Sequence, residues 1–284
     1  MATPSVEPVT ASALPAFAEF LHTNLLRSRS AYDWEVGLRR QWTPQPPNYG
    51  FMLRLPDGVI VGGIGAYYAD RLIEGNLERF CNITSWCVLD KYRQLSMKLA
   101  MALIRQPDYH FTDFSPTKVV GATLKFFKFK ELDDRQAVIL NVPALPFDGR
   151  FVLHRPQDIV LALSDQALQI YRDHSAFPWL QHVLIGRSGH WCHAIYKRES
   201  YKGLGSAHVK YLSDPVAFRS GFGRFARFLL MRGMVSTHVE CRMAAGLPWH
   251  SIVRSGFNRK VFLSPTLDDR QIDYLYSEQM VLDL

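Results

Sequence analysis

The stretch SWCVLDKYRQLSMKLAMALIRQ, Ser85 to Gln106, reads as a strand, a tight turn and a helix. Trp86, Cys87, Val88 and Leu89 form an apolar run of strand type, and Asp90 with the polar KYRQ segment supplies the turn. Ser96 is the expected helix cap, since its hydroxyl can accept from the free N–H groups of a first turn. Leu95, Leu99, Ala102 and Leu103 then recur at helical spacing and mark one buried face. A strand feeding an open helix N-terminus suits a phosphate chain, because unpaired amides and the positive dipole end both face the ligand.

Outward from this unit the pattern keeps alternating. Upstream, residues 13–26 form an amphipathic helix with Leu14, Phe17, Phe20, Leu21 and Leu25 on one side. A short helix over residues 31–40 stops at the TPQPPN segment, Thr43 to Asn48. Residues 51–55 and 59–68 flank Pro56-Asp57-Gly58, a hairpin signal, and residues 79–89 enter the opening stretch as a strand. Downstream come a strand at 110–114, a helix at 119–129 and a closing strand at 137–142. Pro143, Pro146 and Gly149 mark a linker. The order then starts again, with a helix at 157–173 and strands at 179–185, 190–198 and 207–212. A helix starts at Asp214-Pro215 and runs to about Arg232; a strand at 235–242 and a last segment at 252–263 close the unit.

Composition bounds the class. With 48% hydrophobic and 13% aromatic residues the chain can bury a substantial core, which argues against wholesale disorder. No run reaches the roughly 18 apolar residues of a membrane span, and the first residues lack the basic and apolar regions of a secretory signal. Cys81, Cys87, Cys192 and Cys241 have no CxxC spacing and read as free thiols of a reducing cytoplasm. Residues 1–148 carry 16 basic and 15 acidic side chains (+1), whereas 149–284 carry 17 and 11 (+6). Within the latter, Arg187 to Lys260 holds 13 and 3 (+10). That excess fits an anionic ligand, a tRNA or another polyanion, or a solvated basic face.

The two halves share one order: helix, antiparallel strands, strand–turn–helix, strand, short helix, last strand. Ser96 and Lys98 correspond to Gly221 and Gly223 at an offset of 125, and Phe129 to Phe257 at 128. A repeat this long means two copies of one domain, since solenoid units span roughly 20–50 residues.

This pattern resembles the GNAT superfamily of acyl-CoA N-acyltransferases, whose phosphate turn reads Gln/Arg-x-x-Gly-x-Gly/Ala between a strand and a helix, with a later Gly-Phe. The first copy has Arg93-Gln94-Leu95-Ser96-Met97-Lys98, keeping the Arg and replacing both glycines. The second has Phe218-Arg219-Ser220-Gly221-Phe222-Gly223, keeping both glycines and lacking the Gln/Arg. Lys128-Phe129 is a degenerate Gly-Phe, and Gly256-Phe257 a faithful one. The resemblance implies an α/β (α+β) fold of two tandem GNAT-like domains, 1–145 and 150–284, each a mostly antiparallel sheet flanked by helices. It implies acetyl-CoA or another acyl-CoA as co-substrate, held by Val88, Leu89, Arg93, Gln94, Leu95, Ser96, Met97 and Lys98, or by Arg219, Gly221 and Gly223. Side chains in place of the glycines obstruct close approach of a pyrophosphate, although Lys98 can offer an ammonium.

Acyl transfer to an amine needs a base, an oxyanion stabiliser and a proton donor for the leaving thiol. Glu78, at the head of ERFCNITSWCVL, stands where the family places its base; His208, on the comparable strand of the second copy, is the alternative. Asp113 and Asp70 are weaker candidates. The family's thiol-protonating Tyr is Leu124 here, leaving Tyr67, Tyr68 or Tyr92 to substitute. The oxyanion donor falls among the backbone amides of Cys87 to Leu89. His190, Cys192 and His193 do not form a metal site, since neighbouring strand residues face opposite ways. Phe218, Phe222 and Phe225 share helical spacing and read as core rather than as stacking platforms for bases.

Three functions remain open at this level. The first is a cytoplasmic acyl-CoA-dependent N-acyltransferase, acetyl being the expected group and an amino sugar or amino-acid derivative a possible acceptor. The second is a tandem-type transferase using aminoacyl-tRNA, held by the basic 187–260 region. The third is a non-catalytic protein that kept the fold.

Overall fold

The computed structural model describes residues 3–142 and 149–283. The prolines of the expected linker lie outside the described residues. Strands β1 (Ser5–Pro8), β2 (Gly50–Arg54), β3 (Ile60–Ile73), β4 (Asn76–Val88), β5 (His110–Asp113) and β6 (Lys130–Glu131) belong to the first half of the chain. So does β7 (Gln136–Leu140). The second half supplies β8 (Phe151–Leu153), β9 (Leu180–Arg187), β10 (His190–Tyr201), β11 (Leu204–Leu212), β12 (Met234–Glu240), β13 (Ser251–Arg254) and β14 (Val261–Leu263). The helices are α1 (Leu14–Asn24), α2 (Ala31–Leu38), α3 (Ser96–Ile104), α4 (Lys118–Phe126), α5 (Pro156–Ala162), α6 (Asp165–His174), α7 (Pro215–Leu230) and α8 (Glu278–Val281).

These strands build two mixed seven-stranded sheets, β1-β2-β3-β4-β5-β14-β6 and β8-β9-β10-β11-β12-β7-β13. The two orders are equivalent position by position. Among the named strands only β4 with β5 and β11 with β12 run parallel. The sixth place in each sheet is filled from the other half: β14 enters the first sheet and β7 the second. Residues 136–140 are the closing strand expected from the sequence, but they close the second sheet. The expected last segment, 252–263, divides into β13 and β14, one for each sheet. The halves are thereby interlocked by main-chain hydrogen bonds.

Helices α1 and α2 bury Leu14, Phe17, Leu21, Trp34 and Leu38 on one face of the first sheet with Tyr67, Phe80 and Phe114. Helices α3 and α4 bury Leu99, Leu103 and Leu124 on the other, with Ile64, Tyr68, Cys81 and Ile83. Alternation along β3 and β4 sorts these residues by face. The α1 side merges with the second half's core, where Phe218, Phe222 and Phe225 of α7 pack as expected. Residues 264–283 lie between the halves; Trp179 donates its indole N–H to the Met280 carbonyl at 2.7 Å, and Lys197 its ammonium to that of Leu282 at 2.9 Å.

Candidate active site

Parallel pairing of β4 with β5 stops at Asn82 and Thr112. Asn82 pins this last rung by donating to the Thr112 carbonyl and hydroxyl, at 3.3 and 3.0 Å. Beyond it the strands part. A bulge follows in β4: its register on β3 slips between Gly63 and Gly65, and Ser85 adopts φ 51°. Such a bulge bends a strand and re-aims its side chains. Main-chain groups on the parted edges no longer satisfy one another, so the opening is polar along its rim.

A cavity of about 280 Å³ fills this splay. Thr84, Ser85 and Trp86 line it from β4, and Asp113 from β5. Ser115, Pro116, Thr117 and Val120 close it on the α4 side, and Leu25, Leu26 and Trp34 on the α1–α2 side. The slot therefore crosses the sheet and reaches both faces. Thr117 shapes its rim by capping α4, its hydroxyl accepting from the Val120 N–H at 3.3 Å.

Two residues of the slot's lining, Trp34 and Trp86, have buried indole N–H groups without hydrogen-bond partners; the Tyr67 hydroxyl and Glu278 Oε2, outside the lining, are also unpartnered, as are atoms of Glu240 and Arg242 in the second half. Folded proteins rarely leave such groups unpaired away from a ligand or water. Glu278, fully buried, arrives from the segment between the halves. Its Oε1 accepts from the Phe114 N–H at 3.1 Å and the Ser115 hydroxyl at 2.9 Å, and its own N–H donates to Asn82 Oδ1 at 2.9 Å. Burial pushes its carboxyl up to about 7. Burial, and next the Glu278 charge, hold Asp113 well above the usual carboxylate range. Two carboxyls that raise one another in a dry site resist ionising together.

The second splay opens beyond His208 and His238, with the β11 bulge next to Lys210. Here the gap is filled. Tyr274 donates its hydroxyl to Glu240, whose carboxylate pairs with Arg242 at 2.6 Å and Lys260 at 2.8 Å. The ammonium groups of Lys210 and Lys260 lie 5.5 and 5.9 Å from the Tyr274 ring centre. Burial pushes Glu240 up, but Arg242 and Lys260 outweigh it and hold the carboxyl below its ordinary value. Cavities of about 510 and 630 Å³ lie at the junction of the halves; the larger borders the second splay, with Leu212, Cys241 and Arg242 in its lining, but neither is lined by Lys210 or Glu240. Volume alone therefore does not select the site; penetration of the sheet does.

The turns entering α3 and α7 also depart from expectation. Residues Asp90–Leu95 wind into a 3-10 helix that continues directly into α3, so Ser96 is a helical residue whose N–H bonds to the Arg93 carbonyl. Leu95 precedes α3 with no side-chain cap. At the offset of 125, Leu89 matches Asp214, and there α7 begins at once, the Asp214 carboxylate accepting from the Val216 and Ala217 N–H groups, both at 2.9 Å. Gly221 and Gly223 thus lie inside α7, not in a phosphate turn. Gly221 is needed for packing: a Cβ there would stand 2.4 Å from Ile185 Cγ2. The Gly-Phe correspondence is visible in the backbone, since Lys128 and Gly256 both take left-handed conformations, at φ 66° and 86°.

The remaining sequence candidates are scattered. Glu78 sits seven residues before Ser85, about 23 Å along an extended strand, bonded to His110 at 2.8 Å; His110 bonds in turn to the Ser264 hydroxyl at 2.9 Å. His208 belongs to the paired part of the second sheet, stacked 4.2 Å from His238 and 3.2 Å from Glu199. Burial, then His238, lowers its pKa to about 3. Tyr92 and Gln94 lie in the 3-10 turn, Arg93 pairs with Asp90, and Met97 and Lys98 are exposed on α3. Val88 pairs with Gly62, and the Leu89 N–H is taken by the Val61 carbonyl at 3.0 Å. Arg219 donates to the Ala245 carbonyl at 3.2 Å. Tyr68 bonds Asn48 at 2.8 Å, and Asp70 accepts from Thr43 at 2.9 Å. Lys197, Lys210, Arg242 and Lys260, four of the 13 basic residues in 187–260, are drawn inside against Glu240, Glu199 and the 264–283 segment. Asp113 was legible as a carboxylate at a strand end; Glu278 carried no local signal.

No family model matches the sequence, and none of the curated proteins matches it. Solved structures do match. A GCN5-related N-acetyltransferase from Anabaena variabilis ATCC 29413 superposes with a TM-score of 0.59 at 9% identity, over 91% of this chain and 72% of that one. A conserved protein of unknown function from Enterococcus faecalis V583 gives 0.62 at 10%, over 92% and 72%. A GCN5-related N-acetyltransferase from Kribbella flavida gives 0.55 at 10%, over 92% and 71%. The chain has the fold of GCN5-related N-acetyltransferases in a tandem, two-sheet form. Among the described residues no helix is long and apolar enough to cross a membrane.

Proposed function

We propose that this protein is an acyl-CoA-dependent N-acyltransferase whose thioester enters the first splay, between β4 and β5, and reacts there with an amine. The supporting observation is the slot itself: it passes through the sheet and collects unpaired donors around Trp34 and Trp86. Entry of donor and acceptor from opposite faces brings them together with water excluded, which is worth several orders of magnitude in effective concentration. Acetyl is the expected group, because about 280 Å³ must also hold the end of the pantetheine arm. The coenzyme's phosphates would meet Arg93 and Lys98, which flank the junction of the 3-10 turn with α3. Main-chain N–H groups at the Ser85 bulge, with the two indoles, would stabilise the oxyanion. Of the tyrosines, Tyr67 has a buried hydroxyl without a hydrogen-bond partner, which supports it over Tyr92 as the thiol's proton donor.

The test is thiol release from acetyl-CoA, followed with a thiol reagent, with and without primary amines. Amine-dependent release supports the proposal. Absence of both release and coenzyme A binding overturns it in favour of a non-catalytic role.

A further inference from the structure

We infer that the α1–α2 side of the first splay is an acceptor subsite built by both halves of the chain, in which Asp113, backed by Glu278, receives the ammonium of an apolar primary amine. The inference rests on the acyltransferase reading for its chemistry, but the subsite is defined by its own geometry. Asp113 lines the slot, and Glu278 stands behind it on the same parted edge, fixed by Phe114, Ser115 and Asn82. One carboxylate oxygen, Glu278 Oε2, is buried with no partner. The walls around the pair are mostly hydrocarbon and indole, from Leu25, Leu26, Trp34, Trp86 and Leu282, with Thr84, Ser85, Ser115 and Thr117 adding a narrower polar strip. A carboxyl pair in such a wall offers one negative charge to one cation and aromatic faces to the group attached to it. An acceptor bearing its own carboxylate would set a like charge against the pair, and a sugar amine carries more hydroxyls than the polar strip can satisfy, leaving some against hydrocarbon and indole.

The pair also suits the reaction. Asp113 takes one proton from the ammonium, freeing the nitrogen lone pair. Nitrogen then attacks the thioester carbon, forming the C–N bond while the carbonyl pair moves to oxygen. Collapse of that oxyanion breaks the C–S bond; the thiolate leaves and takes the Tyr67 hydroxyl proton, the phenolate regains one from the acylated nitrogen, and Asp113 returns its proton to solvent. The charged or titratable groups that interact with Glu278 are Asp113, the Tyr67 phenol and Lys197. Arg29 acts on Tyr67, and Ser115 and Asn82 hold Glu278 by hydrogen bonds.

Phenethylamine, phenylalanine and glucosamine separate the possibilities. Binding is read without coenzyme A by calorimetry and by the fluorescence of Trp34 and Trp86; transfer is read by thiol release. Phenethylamine should bind and react at least tenfold better than the other two. Asp113→Asn should reduce its binding at least tenfold, and Glu278→Gln should shift the acidic limb of the kcat/KM profile. Leu26→Lys, at an exposed rim position that does not endanger folding, should weaken phenethylamine at least fivefold by charge repulsion. Amine binding with these dependences but without acetyl transfer keeps the subsite and rejects the transferase reading. Equal binding of all three amines, or undiminished phenethylamine binding in both Asp113→Asn and Leu26→Lys, overturns the subsite.

Discussion

The two splays have the same topology and opposite contents. In the first, β4 and β5 part around a mostly apolar slot lined by Trp34, Trp86 and Asp113. In the second, β11 and β12 part around Tyr274 and the ion pairs Glu240–Arg242 and Glu240–Lys260. The helix starts differ in the same sense. The turn before α3 carries no side-chain cap, whereas Asp214 sets a carboxylate on the N–H groups of α7 that a phosphate would need. Duplication of a fold built around a cleft leaves two clefts, and here the segment 264–283 serves both. It fills the second with Tyr274 and supplies the first with Glu278 and Leu282.

This contrast can be broken at several points. The largest expected effect is at Glu240. Glu240→Gln leaves Arg242 and Lys260 buried against a neutral group, and denaturant unfolding should show a loss of about 3–5 kcal/mol. A loss under about 1 kcal/mol would mean that the second splay is hydrated and not filled.

Glu278 comes next, with an effect of order 1–3 kcal/mol that depends on pH. Its folded-state pKa, about 7, exceeds the ordinary 4.5, so the folded chain binds more protons between these values. Its contribution is therefore present at low pH and lost as pH rises toward 7. Five histidines act in the other direction: burial lowers His174 and His193 to about 3, His208 also to about 3, and His182 and His238 to about 4. The unfolded chain then binds more protons below its histidine value of about 6.5, so this contribution disappears as pH falls toward 4. The melting temperature of the parent should drop steeply below pH 6. The gain in stability from Glu278→Gln should grow from pH 4.5 to 7.5; a constant difference would show that Glu278 titrates normally.

Gly221→Ala gives a smaller effect. Helix propensity alone favours Ala by about 1 kcal/mol, but the new Cβ meets Ile185. Overpacking of about 1–3 kcal/mol should win, and coenzyme A affinity should stay within twofold. A tenfold loss of affinity without destabilisation would restore Gly221 to a phosphate turn. Asp214→Ala is the mildest: loss of the cap should lower stability by about 1 kcal/mol without creating a second coenzyme site.

Much of the architecture was legible in the sequence because periodicity is local. The hairpin around Pro56-Asp57-Gly58, α1, α2, and the offset of 125 that sets Ser96 and Lys98 against Gly221 and Gly223 follow from patterns a few residues long. The strand exchange was not, since nothing in residues 136–140 or 261–263 states which sheet's edge they will join. Gly221 and Gly223 misled for a physical reason: glycine permits close approach of either a phosphate or a neighbouring strand, and the Asp214-Pro215 helix start, also legible, decides for the strand. Glu78 satisfied the spacing of a base but is engaged with His110. Glu278 was out of reach because 278 − 113 = 165 residues separate it from Asp113.

Calorimetric titration of coenzyme A into the parent chain and into Val120→Trp, which fills the first slot from α4, addresses the asymmetry of the splays directly. One molecule bound per chain, weakened at least a hundredfold by the substitution, is the expected result. Two molecules per chain, or binding unchanged in the filled variant, would contradict it.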